Sequence, residues 1–153
     1  MLIPDEQATE ELAERIAAAS KTGDVIALYG DLGAGKTVFA KAFVRALNLP
    51  DQDVPSPTFT LVQTYDGTKR DGMPLTVFHF DLYRLNAPEE IYEIGFEEAL
   101  SSGVSLIEWP QKAGGLLPKN RLEIHLNAGR TPTQRNVTII PKGKRYERDF
   151  LHL

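Results

Sequence analysis

Apolar positions recur along this chain in two rhythms, one helical and one alternating. Over residues 5–20, Leu12, Ile16 and Ala19 share one face and Asp5 stands where an N-cap is needed, which predicts an amphipathic helix. Thr22-Gly23-Asp24 ends it. Residues 25–29 are then a continuous apolar run, the pattern of a strand buried on both faces. Helical spacing resumes over 38–47, where Phe39, Phe43 and Leu47 form the apolar face, and Pro50 stops the helix near Leu49. Residues 58–65 alternate as a strand, 66–72 are rich in turn formers, and 75–83 alternate again. A connection that short excludes a crossover helix, so the two strands are expected to pair as an antiparallel hairpin. Pro88 opens an acidic helical region over 88–100 that Gly95 divides into two short helices. A buried strand over 104–108 follows, bounded by Gly103 and Pro110. Residues 112–119 read as a Gly/Leu/Pro connection, and 121–127 with 135–141 as a last strand pair. The expected fold is α/β, a single domain with a mixed central sheet flanked by helices and carrying antiparallel hairpins.

Composition narrows the class without naming a function. The chain has 153 residues, 42% of them hydrophobic and 25% charged, which is ordinary for a globular domain with a three-layer core. It contains no run of 18 apolar residues. Asp5, Glu6, Glu10, Glu11 and Glu14 give the start of the chain the opposite charge to a signal peptide. The absence of cysteine removes disulfides, thiolate metal sites and catalytic thiols, and the expectation is a cytoplasmic protein without a membrane partner. A net charge of −4 argues against a stand-alone DNA or RNA binder. The charge is unevenly spread: from Arg130 onward six basic residues (Arg130, Arg135, Lys142, Lys144, Arg145 and Arg148) face only Glu147 and Asp149. A basic tail over 142–153 can meet RNA or an acidic partner, but solvated surface is the more frequent explanation.

The candidate chemistry lies between the strand at 25–29 and the helix after it. Gly30-Asp31-Leu32-Gly33-Ala34-Gly35-Lys36-Thr37 satisfies G-x-x-x-x-G-K-[ST], the Walker A or P-loop pattern, in its required strand–loop–helix context. Glycines let backbone N–H groups turn inward around phosphate oxygens, and the helix N-terminus adds a partial positive charge. Lys36 is expected to reach the β- and γ-phosphates and Thr37 to place its hydroxyl on Mg²⁺, with ATP as the nucleotide. In open α/β sheets ligands bind beyond the carboxyl ends of the strands. Glu108, ending an apolar strand, fits a Walker B carboxylate on that metal, and Asp81 is a second acid near the end of its strand. Alternation puts His79, Asp81 and Tyr83 on one face. Thr58, after Pro55-Ser56-Pro57, is either a switch-like sensor of the γ-phosphate or an ordinary strand-entry threonine. Trp109, the only tryptophan, stacks near the nucleotide or caps the core. Arg84 either stabilises transferring phosphate or pairs with the acidic 89–98 segment, the pairing being favoured, and His79, His125 and His152 lack metal-ligand spacing and read as structural or exposed.

Together these pieces resemble one family closely, the small bacterial P-loop ATPase TsaE (formerly YjeE) of the tRNA threonylcarbamoyladenosine pathway. The resemblance rests on residues 30–37, Ser56-Pro57-Thr58-Phe59, His79-Phe80-Asp81-Leu82-Tyr83-Arg84 and Ile107-Glu108-Trp109-Pro110, in that order, across residues 5 to about 127. It implies an ATPase that supports two partner proteins, TsaD and TsaB. Those partners modify adenosine 37 of tRNAs that read ANN codons, so tRNA is met through the complex. It further implies that Thr37 and Glu108 ligate Mg²⁺, with Thr58 in a switch-like loop and Asp81 contributing to the site.

Other P-loop chemistries fit less well. Gly30, Gly33 and Gly35 also match the loop of small-molecule and nucleotide kinases, but residues 112–119 are a short segment without the arginine of a kinase lid. A GTPase would carry an [NT]-K-x-D guanine-reading motif, which does not occur. A nucleotide-gated binding module overlaps with the family reading, since hydrolysis is expected to be slow without partners.

Overall fold

The structure, a computed structural model, describes residues 2–31, 34–47, 61–132 and 134–150. Helix α1 spans Glu6–Ala19 and is capped as expected: the Asp5 carboxylate accepts from the Ala8 N–H at 2.9 Å. Its buried face is Leu12, Ala13, Ile16 and Ala17. Strand β1 is the short Leu2–Ile3, β2 is Val25–Tyr29, and helix α2 runs Lys36–Arg45. Phe39 and Phe43 on α2 are completely buried, and each contributes about 2–3 kcal/mol of apolar transfer. The helix ends at Arg45, earlier than Pro50 requires.

Strands β3 (Val62–Thr68) and β4 (Pro74–Asp81) form the expected antiparallel hairpin. A 3-10 helix over Pro88–Ile94 and helix α3 over Phe96–Ser102 meet at Gly95. Strand β5 is Val104–Glu108, with every residue buried, and a second 3-10 helix, Pro110–Leu116, takes up most of the expected 112–119 connection. Strands β6 (Arg121–Ala128) and β7 (Arg135–Lys142) pair antiparallel.

Among the described residues the sheet has seven strands in the order β1-β7-β6-β2-β5-β4-β3. Its centre, β6-β2-β5-β4, is parallel, and its edges are antiparallel. Successive residues of β2 serve opposite faces. Ile26 and Leu28 pack with Leu12, Phe39 and Phe43 of α1 and α2, while Val25 and Ala27 pack with Phe80, Ile91 and Phe96 on the side of α3 and the 3-10 helices. This is the expected α/β architecture, a mixed sheet between helical layers. No helix among the described residues is long and apolar enough to cross a membrane.

The segment counted with the basic tail is, over Lys144–Phe150, a packed element, helix α4. Tyr146 and Phe150 are buried, four residues apart on one face. The Tyr146 hydroxyl accepts the N–H of Val25 at 2.8 Å, and Arg145 pairs with Asp24 at 2.8 Å and donates to the Ala19 carbonyl at 2.9 Å. Three of the six basic residues, Lys144, Arg145 and Arg148, thus sit on a helix clamped to the start of β2; Lys144 and Arg148 are exposed there, as expected of solvated surface, while Arg145 is tied to Asp24.

Candidate functional site

Four parallel strands carry their carboxyl ends to one edge of the sheet, and β2 delivers its chain there at Gly30. Gly30 has φ +149, and a Cβ on it would lie 2.4 Å from the Leu126 carbonyl oxygen of β6, so only glycine turns the chain this tightly. Gly35, at φ +102, is the N-cap of α2 and brings no side chain to its N-terminus. The first N–H groups of α2 are thereby left without a capping side chain, the arrangement that suits an anion. Ala34, half-buried Gly35, Lys36 and Thr37 lie in or beside that first turn, and exposed Asp31 precedes it. Leu32, Gly33 and Thr58 lie outside the described residues.

Lys36 is only 5% exposed. Its ammonium donates to the Gly30 carbonyl at 2.6 Å and stands 3.5 Å from the centroid of the Trp109 ring. Burial pulls the Lys36 ammonium below its ordinary value, and the charges of Glu108, Asp81 and Asp31 oppose that pull. A cation already stripped of water in this way meets an incoming phosphate without paying that desolvation again. Trp109 adopts φ 57, a left-handed backbone that no other non-glycine among the described residues takes, and it also packs on Tyr83 with centroids 5.0 Å apart. The ring joins the core, as one of the two expectations had it, and also covers the lysine of the loop.

The two candidate acids meet across the sheet. Asp81 ends β4 and Glu108 ends β5, and they are register partners. Burial raises the Asp81 carboxyl; the Tyr83 N–H, accepted at 3.1 Å, works against this, and the charge of Glu108 adds to it. Glu108 is 4% exposed and accepts from His79 Nε2 at 2.7 Å. His79 is itself 1% exposed, and its Nδ1 has no hydrogen-bond partner among the described residues. His79 is structural, as its spacing suggested, and the group it orders is the candidate acid Glu108. Alternation along β4 already placed it with Asp81; the missing information was that β4 lies beside β5.

No group of three or more His, Asp or Glu side chains gathers as a ready-made metal site among the described residues. The donor set nevertheless fits Mg²⁺ with a phosphate ligand, which takes one hydroxyl, one or two carboxylates, phosphate oxygens and waters. Thr37, Glu108 and Asp81 offer those hard oxygens at one sheet edge.

A protein-family model described as "Threonylcarbamoyl adenosine biosynthesis protein TsaE" matches residues 3–137. The chain belongs to the TsaE family. Among relatives of that family, the tRNA threonylcarbamoyladenosine biosynthesis protein TsaE of Rickettsia felis is 41% identical over 126 residues, covering 82% of this chain and 71% of that protein. The Bacillus subtilis protein of the same name is 40% identical over 141 residues, covering 91% and 83%. The crystal structure of Bacillus subtilis YdiB superposes with a TM-score of 0.75 at 32% identity over 99% of this chain and 90% of that one. The resemblance read from the sequence is thus correct at the level of family and fold. The stretch matched to the TsaE family model holds every candidate site residue and ends before α4.

Proposed function

We propose that this chain binds Mg-ATP on residues 30–37 and hydrolyses it as an accessory protein in the cytoplasm. The product of the pathway it serves is threonylcarbamoyladenosine at position 37 of tRNAs reading ANN codons, made with TsaD and TsaB. Family membership supports the pathway. The nucleotide chemistry is supported above all by one observation: a dehydrated Lys36 lies beside an uncapped helix N-terminus, with two register-paired acids at the same edge.

In this reading the first N–H groups of α2 cradle phosphate oxygens and Lys36 neutralises their charge. Thr37 and Glu108 hold Mg²⁺, which supplies charge neutralisation across the phosphates. His79 fixes the Glu108 carboxylate, so the acid is set before substrate arrives. Asp81 shares the edge and orders the attacking water, and Thr58 is the switch-like residue. Trp109 rests on Lys36 and must yield some of that contact to phosphate.

The test is ATP turnover with and without TsaD and TsaB, for wild type and Lys36→Ala. Weak turnover that rises with the partners is expected, falling about 10²-fold or more in the variant. Equal turnover in both proteins would remove the assigned site. Phosphate arriving on an added metabolite, not in water, would make the protein a kinase.

A further inference from the structure

Arg135, which the sequence offers only as one basic residue of the C-terminal third, opens β7 at the same sheet edge as the loop. Its Nε donates to the Ala34 carbonyl at 2.9 Å, across 101 residues of chain. The same guanidinium donates through one terminal nitrogen to the Pro132 carbonyl at 2.8 Å and the Gln134 carbonyl at 2.7 Å. Gly35 is so close that a Cβ there would stand 3.5 Å from the Arg135 Nε. One planar fork therefore joins the β6–β7 turn to the loop that precedes α2.

We propose that Arg135 is a positioning residue of the phosphate loop, holding the Ala34–Gly35 peptide in the orientation that anion binding requires. In a trans peptide the C=O and the following N–H point in opposite directions. Fixing the Ala34 oxygen on Arg135 thus fixes the Gly35 N–H away from Arg135. Gly35 at φ +102 has little conformational preference of its own, so the loop needs an outside restraint. Bonds from a charged donor are stronger than neutral ones, and a guanidinium spans three carbonyls where an ammonium cannot keep the same planar geometry. The β6–β7 turn becomes part of the binding apparatus without touching the nucleotide.

This inference rests on the phosphate-binding reading above, and wild type tests that reading separately. Calorimetric titration of the full chain with Mg-ATP and with Mg-ADP is compared for wild type, Arg135→Lys, Arg135→Gln and Arg130→Gln, together with thermal unfolding of each. Arg130 is an exposed residue of the same turn and controls for net charge. Both Arg135 variants are expected to bind ATP and ADP about tenfold or more weakly, to similar degrees, with Arg130→Gln unchanged. Nucleotide should also raise the Tm of the Arg135 variants less than that of wild type. Lowered Tm with unchanged affinity would reduce Arg135 to a hairpin anchor and overturn the proposal. So would loss of ATP binding alone, which would place Arg135 on the γ-phosphate, or an equal loss in Arg130→Gln. No binding by wild type would remove the phosphate reading itself.

Discussion

Two glutamates flank β2, one on each neighbouring strand, and they are nearly equally buried. Glu108 on β5 is in register with Leu28 and 4% exposed; Glu123 on β6 is in register with Ala27 and 5% exposed. Since Leu28 and Ala27 serve opposite faces, so do the two acids. Glu123 is saturated. It accepts from Arg121 at 2.6 and 2.8 Å, from His125 at 3.0 Å and from Lys142 at 3.2 Å. Glu108 has one hydrogen-bond partner among the described residues, His79, while Asp81 stands across the register and Lys36 lies within electrostatic range. Burial is common to both, so it does not mark out the proposed metal-binding acid. What separates them is unspent capacity: a carboxylate with its cations in place is architecture, and one held by a single hydrogen bond keeps lone pairs that suit a metal.

Replacing each acid by its amide should split the pair. Glu108→Gln keeps an acceptor for His79 and loses the charge; partner-stimulated ATP turnover should fall about 10²-fold, with Tm unchanged or slightly higher. A smaller loss is expected from the donor side. His79→Leu removes the one hydrogen-bond partner that Glu108 has among the described residues and should lower turnover about tenfold, whereas His79→Gln, which still offers an N–H, should restore most of it. Because His79 acts through Glu108, the double change His79→Leu with Glu108→Gln should lose less than the product of the single losses. Full additivity would show that the histidine does not act through the acid. Glu123→Gln should do the reverse of Glu108→Gln, leaving turnover within about twofold and costing about 1 kcal/mol of stability, because its partners reach solvent.

The difference between the two acids also marks what the sequence could disclose. The loop at 30–37, the strand before it and Glu108 were legible because their signals are local: an apolar run, a fixed glycine spacing and a carboxylate at a strand end. The β3–β4 and β6–β7 pairings followed from alternation and short connections. What joins distant segments was not legible. Arg135 lies 101 residues from Ala34, and no periodicity connects them. His79 meets Glu108 only because β5 inserts between β4 and β2, a fact of strand order. Strand β1 has just two residues, too few to carry a period. Helix α4 did carry a local signal, Tyr146 and Phe150 at a four-residue spacing after Gly143, but a count of basic charges hid it. Charge totals describe a surface on average; they do not show which charges are tied to the core.

The weakest expected effect sharpens the comparison most, because it reads charge alone. Burial works to raise the Glu123 carboxyl, but the hydrogen bonds from His125, Lys142 and Arg121 outweigh it and hold the group below its ordinary value of 4.5. A carboxyl whose folded value lies below its unfolded one adds stability above the unfolded value, and that stability is lost as pH falls through the folded value. The amide in Glu123→Gln has no such dependence. The gap in Tm between wild type and Glu123→Gln should therefore stay level from neutral pH down to about pH 5 and then close as acid protonates Glu123 in the wild type. Paired thermal melts from pH 7 to pH 3 measure it. A gap that stayed open at the acid end would trace the stabilisation to the shape of the side chain, and the saturated glutamate would no longer be held in place by its cations.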